Sequence, residues 1–212
     1  MRPRWTLFDL NGTLLDPGEV GEPLGLSREG SLAALDEALL GSMAETLSGS
    51  YRPLAEFLRA ALVRRVGTES RIDEAMERAQ SMPPYADCAA ALERLRGAGI
   101  STGVLTNSPR ETAERGLAAA GLIGLCDIVA GSDEVKAFKP DPRVYRLGVE
   151  RTGAAPEEVC MVASHWWDLM GASRAGLRTG WVKRDGRELM QAGPAPDFQA
   201  GTLDELAAQL SS

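Results

Sequence analysis

Apolar positions along the chain change their spacing twice, and the three stretches so defined predict different structures. Residues 5–8 form a short, mostly apolar run that ends at Asp9 and is followed by Gly12, which suits a buried strand opening into a tight loop. Glycines and prolines then recur from 17 to 26. After them Leu32, Leu35, Leu39, Met43 and Leu47, and again Leu54, Phe57, Leu58, Ala61 and Leu62, fall at helical spacing. A more polar helix over 72–80 follows, and Met82-Pro83-Pro84 stops it.

Beyond that breaker, helix-like and strand-like runs alternate. A helix carrying Ala89, Leu92 and Leu95 ends at Gly97 and Gly99. Strands are predicted at 100–106, 127–130, 159–163 and 179–182, with helices at 111–120, 142–151 and 169–175 between them. Thr202 and Glu205 make a capping box for a last helix over 203–210, and 192–201 reads as a loop. Alternation of this kind predicts an α/β fold, a Rossmann-like doubly wound parallel sheet with helices on both faces. The expected division is a core of residues 1–15 and 87–212, with 16–86 inserted after the first strand as a helical cap. Ligands of such sheets sit beyond the carboxyl ends of the strands, so an insertion leaving from that end lies over the mouth.

Composition narrows the partners more than the fold. With 23 basic against 30 acidic side chains and a net charge of -7, the chain of 212 residues carries no electrostatic footprint for nucleic acid or an anionic membrane. Any anion it binds must be held by local groups. No apolar run approaches the ~20 residues of a membrane span. The start, Met-Arg-Pro-Arg, leads into a strand rather than a signal-peptide core, so a cytoplasmic location is expected. Cys88, Cys126 and Cys160 are odd in number and widely spaced, which suggests neither a disulfide framework nor a zinc site.

Candidate chemistry gathers at the predicted strand ends: Asp9, Thr106-Asn107, Lys139 and Ser164-His165-Trp166-Trp167-Asp168. A carboxylate at such a mouth can attack an electrophile and form an ester, an ammonium can hold it ionised, and a hydroxyl can donate to an anionic substrate. Small residues after Asp9 leave backbone N–H groups to face developing negative charge. Singly, each of these groups is as well explained by a helix cap or a salt bridge; the case rests on their joint placement.

Asp9-x-Asn-Gly-Thr13, Thr106-Asn107, Lys139-Pro-Asp-Pro142 with Tyr145, and Val162-Ala-Ser-His-Trp-Trp-Asp168 with Gly171-Ala172 resemble, in order, the four motifs of the haloacid dehalogenase superfamily. The Lys-Pro-Asp-Pro-Arg-Val-Tyr segment and the Trp-Asp ending look most like the type II 2-haloacid dehalogenases. The resemblance implies that Asp9 displaces halide from a small 2-halocarboxylate and that water then hydrolyses the aspartyl ester to a 2-hydroxy acid. It further implies that Lys139, assisted by Tyr145, orients Asp9, that Asp168 sits with Lys139 and positions water, and that Thr13 braces the loop. Thr106 and nearby backbone N–H groups would hold the substrate carboxylate, with Asn11, Asn107, Tyr145, Ser164 and Trp166 also facing substrate.

Phosphatases of the superfamily carry a second aspartate two residues after the nucleophile, and hold magnesium with acids of the fourth motif. Here Asn11 stands at the first place and Ser164 at one of the others, so neither proton transfer to a leaving alcohol nor a hard cation is provided for. No cofactor and no metal are therefore expected. A divergent phosphatase and a non-catalytic module, in which Asp9 and Lys139 form only an ion pair, are the rival readings. The chain departs from the dehalogenases too, since 31–48 holds no arginine to receive halide, and Ala163 and His165 replace a serine and an asparagine. His165, with an indole N–H of Trp166 or Trp167, is one expected substitute; Arg52 and Arg59 are others. The Leu-rich inserted helices leave room for a homodimer.

Overall fold

A computed structural model describes residues 2–190 and 193–212. Six strands, β1 (Trp5–Phe8), β2 (Ser101–Thr106), β3 (Ile128–Gly131), β4 (Val159–Ala163), β5 (Arg178–Val182) and β6 (Phe198–Ala200), form one parallel sheet in the order β3-β2-β1-β4-β5-β6. Helices α1 (Arg28–Leu47), α2 (Leu54–Val66) and α3 (Ile72–Arg78) lie between β1 and β2 in sequence; α4 (Cys88–Gly97), α5 (Arg110–Ala119), α6 (Pro142–Thr152), α7 (Trp166–Arg174) and α8 (Leu203–Leu210) follow. The expected α/β architecture is present. The stretch expected as a loop over 192–201 contains β6, a three-residue edge strand too short to show a period; Ala192 itself lies outside the described residues.

Register decides what meets at the mouth. Phe8 pairs with Val104 on one side and Val162 on the other, so Asp9, the end of β2 and the end of β4 emerge at one level. Strand order reverses between β1 and β4, which opens the crevice where ligands bind in such sheets.

The chain leaves this crevice at Leu15 and returns at Pro84, the two passages paired antiparallel: Asp16 N donates to Pro83 O at 2.8 Å and Tyr85 N to Leu14 O at 3.0 Å. Leu35, Leu39, Leu58 and Leu62 of α1 and α2 share a single apolar cluster with Phe8, Leu14 and Leu15 at the β1 end. Further ties lie to either side. The Tyr51 ring stacks on Phe138 with centroids 5.0 Å apart, and Phe138 N donates to Thr46 Oγ1 at 3.0 Å. On the opposite flank, the segment after β5 sends Arg184 under the crossing point. Its Nε donates to Thr13 O at 3.2 Å, its other nitrogens to Asp87 at 2.7 and 2.9 Å, and its guanidinium covers the Tyr85 ring.

Arg184 is buried, so truncating it strands the Asp87 carboxylate and the Thr13 carbonyl together. Arg184→Ala is expected to lower stability by about 3 kcal/mol, read as a shift of the urea midpoint at unchanged slope.

Candidate active site

Lys139, at the end of the segment leading into α6, has no exposed surface. Its three ammonium protons are all placed: on Asp9 Oδ1 at 2.9 Å, on Asp168 Oδ2 at 2.6 Å and on the Leu105 carbonyl at 2.9 Å. Tyr145, one turn into α6, donates from its hydroxyl to Asp168 Oδ1 at 2.8 Å. Gly171 makes that possible, because a Cβ there would collide with the Tyr145 ring and hydroxyl. Tyr145, expected to face substrate, is instead fully buried with its hydroxyl on Asp168, and it reaches Asp9 only through Asp168 and Lys139.

The other oxygen of Asp9 faces the loop after β4. Thr13 Oγ1 donates to Oδ2 at 3.0 Å, and His165 Nδ1 lies 3.1 Å from the same atom. An ionised carboxylate only accepts, so Nδ1 carries the proton of that contact. Buried Nε2 has no partner. Gly12, at φ +81°, passes close to the imidazole: a Cβ would stand 3.2 Å from Cε1, and its positive φ also favours glycine. Ser164 completes the loop contact, with its N donating to Thr13 Oγ1 at 3.1 Å and its Oγ to Gly12 O at 2.7 Å.

Burial by itself raises the Asp9 carboxyl, but the Lys139 ammonium and then the His165 imidazole outweigh it and hold the group well below the ordinary 3.8. Lys139 is opposed by burial and carried above its ordinary 10.5 by Asp168 and Asp9. Asp168, fully buried and second to Asp9 at a shared cation, is pushed up.

Several expected substrate-facing groups are otherwise engaged. The Asn107 amide grips the Lys139 backbone, accepting from its N at 2.7 Å and donating to its O at 3.4 Å, so it positions Lys139 instead of facing substrate. Ser164 likewise has its hydroxyl on Gly12. Both oxygens of Asp168 are occupied and the residue is fully buried, which removes it from direct contact with water. Thr106 Oγ1 accepts from Ser108 N at 3.1 Å and retains its own proton. Asn11 donates to Ser108 Oγ at 3.1 Å.

Two cavities flank this core. One, of about 230 Å³, is lined by Asn11 and Ser108 and by apolar residues of the insertion including Leu35, Leu54 and Leu58. The other, of about 470 Å³, is lined by His165, Trp166 and Trp167 and by Leu39 and Met43 of α1. Arg52 and Arg59 reach neither; Arg52 pairs with Glu45, and Arg59 with Asp73 and Glu69.

Comparison with known proteins matches this arrangement. Residues 4–176 fit the family of haloacid dehalogenase-like hydrolases. The chain belongs to that family. It is 32% identical over 214 residues to (S)-2-haloacid dehalogenase 4A of Burkholderia cepacia, covering 96% of this chain and 93% of that one. It is 30% identical to (S)-2-haloacid dehalogenase 1 of Pseudomonas sp. strain CBS-3, covering 96% and 94%. A crystal structure of a dehalogenase superposes with a TM-score of 0.91 at 32% identity, over 99% of this chain and 98% of that one.

For a haloacid dehalogenase-like hydrolase the donor set here does not suit the divalent cation of the superfamily's phosphatases. Asp9 and Asp168 already share an ammonium, Asn11 and Ser164 stand where further carboxylates would be needed, and no cluster of three potential ligands occurs among the described residues. Sequence reasoning missed Ser108, Arg184 and Arg187, although the last two follow β5 at the same end of the sheet as the residues it found.

Linkage fixes the sign of the pH response. The depressed Asp9 contributes stability that is complete above pH 3.8 and is lost as pH falls through its lower folded value. The raised Lys139 contributes below pH 10.5 and loses that as pH climbs through its higher folded value, while the raised Asp168 favours folding on acidification. In Lys139→Met both carboxyls lose the ammonium that most strongly opposes burial at each, so both move up. Denaturant midpoints between pH 3 and 7 should therefore fall with rising pH more steeply in the variant than in the wild type, where Asp168 alone pulls that way and Asp9 opposes it.

Proposed function

We propose that the protein is a 2-haloacid dehalogenase, hydrolysing the carbon–halogen bond of a small 2-halocarboxylate, with residues 16–86 serving as a cap on a core of 1–15 and 87–212. The observation that carries this is the Asp9 carboxylate: buried, held ionised, and unequally engaged. Oδ2 receives two hydrogen bonds, from Thr13 and His165, whereas Oδ1 receives one, from Lys139. Oδ1 therefore keeps a lone pair for attack.

In the first step Oδ1 forms a bond to the halogen-bearing carbon as the carbon–halogen pair leaves with the halide. A halide needs no proton to depart, which fits an amide at Asn11 in place of an acid. The Thr106 hydroxyl and backbone N–H groups beside it hold the substrate carboxylate and fix the line of approach. In the ester so formed, Oδ2 is the carbonyl oxygen, and the Thr13 hydroxyl and His165 Nδ1–H already point at it. When water adds to Cγ, these two donors oppose the charge that develops on Oδ2. His165 Nε2, lacking any partner, accepts the proton of that water. Collapse breaks the Cγ–Oδ1 bond, frees the 2-hydroxy acid and restores Asp9; the net change consumes one water and releases halide and one proton.

Asp9→Asn should abolish halide release from 2-chloropropionate, by about 10³-fold or more, while chelator leaves the wild type unchanged. Single turnover in heavy-oxygen water should label Asp9 before product. His165→Ala should slow hydrolysis more than alkylation, so that a mass increment on Asp9 accumulates; unchanged turnover with no trapped ester would remove His165 from the mechanism.

A further inference from the structure

Displacement by Asp9, which is only 5% exposed, creates a halide ion beside a buried site, and an anion there needs a cation or strong donors. The inserted helix α1 offers only Arg28, and that side chain is tied to Asp16 and Asp185. Lys139 has no proton to spare, Arg184 is saturated by Asp87 and the Thr13 carbonyl, and Arg115 at the rim of the smaller cavity is exposed and paired with Glu111 of its own helix.

Arg187 is different. It follows β5, and it lines the larger cavity together with His165, the residue in contact with Asp9. Its side chain is 18% exposed, and its buried Nε has no hydrogen-bond partner. Its other nitrogens reach Asp36 of α1 at 2.8 and 3.3 Å, and Asp36 is itself half exposed, free to turn to solvent. The facing walls are Leu39, Leu40, Met43 and the rings of Trp166 and Trp167. Glu188 also lines the cavity, but its carboxylate is exposed and paired with Lys183, so the walls left facing the guanidinium are largely apolar and polarisable and suit a weakly hydrated anion better than a strongly hydrated one.

Resting on the dehalogenase reading above, we propose that Arg187 receives the departing halide, so that the cation comes from the core segment after β5 and not from the cap helix. Asp36 is its resting counter-ion. As the carbon–halogen pair moves onto the halogen, the guanidinium takes up the charge, Asp36 swings out, and the halide leaves to solvent through the same opening before water hydrolyses the ester.

The test reads halide binding without turnover. Trp166 and Trp167 line the cavity, so titration with iodide or bromide at constant ionic strength should quench tryptophan fluorescence in a saturable phase. Arg187→Gln should lose that phase, Arg187→Lys should retain it weakened, and Asp36→Asn should tighten it by about tenfold, because the cation loses its competitor. The same order should appear in bromide product inhibition, with alkylation slowed by about tenfold or more in Arg187→Gln and ester hydrolysis unchanged. Purely collisional quenching in the wild type, or saturable quenching that survives Arg187→Gln, would overturn the assignment. Failure of Asp9→Asn to stop halide release would instead sink the dehalogenase reading, leaving the quenching result to stand or fall separately.

Discussion

Lys139 sets an ammonium where water does not reach, and everything at the mouth of the sheet is arranged around that fact. An isolated buried cation would lose its proton. Two carboxylates and a carbonyl prevent this, and the dependence runs both ways, since the ammonium is the largest influence keeping Asp9 ionised inside the protein. The triad is also geometric. Lys139 is held from behind by the Asn107 amide, Asp168 by the Tyr145 hydroxyl, and Tyr145 has space only because position 171 is glycine. β1, β2, α6 and α7 each contribute one end of this network, so the charge on one oxygen pair depends on the packing of most of the core.

The sheet and its order of elements were legible because buried parallel strands read as short apolar runs and the intervening helices stop at glycines. β4 is buried at all five positions and stands out for that reason. The same logic fails for β6, where Phe198, Gln199 and Ala200 are neither continuously apolar nor buried. Groups at strand ends could be collected from the sequence because the topology delivers all of them to one edge.

What each side chain does there was less legible, since a motif gives neighbours in sequence and not hydrogen-bond partners. Asn107 and Ser164 look like substrate ligands by position, yet both support backbone. Asp168 looks like a group that could handle water, yet Tyr145 and Lys139 fill both its oxygens. Conversely His165, the single histidine of the chain, was conspicuous, but only its orientation showed one nitrogen turned to Asp9 and the other left bare. Arg187 was hidden among the many surface arginines, because nothing in composition distinguishes one facing a cavity from one facing solvent.

The apolar cluster common to α1, α2 and the β1 end has a bearing on traffic. Lifting the inserted helices as a rigid lid would wet Leu35, Leu39, Leu58 and Leu62 together, at roughly 25 cal/mol for every square ångström uncovered. Small side-chain swings at the flanks uncover far less. The cost of uncovering this cluster thus weighs against lifting the inserted helices as a unit and in favour of access through side-chain rotation at the flanks.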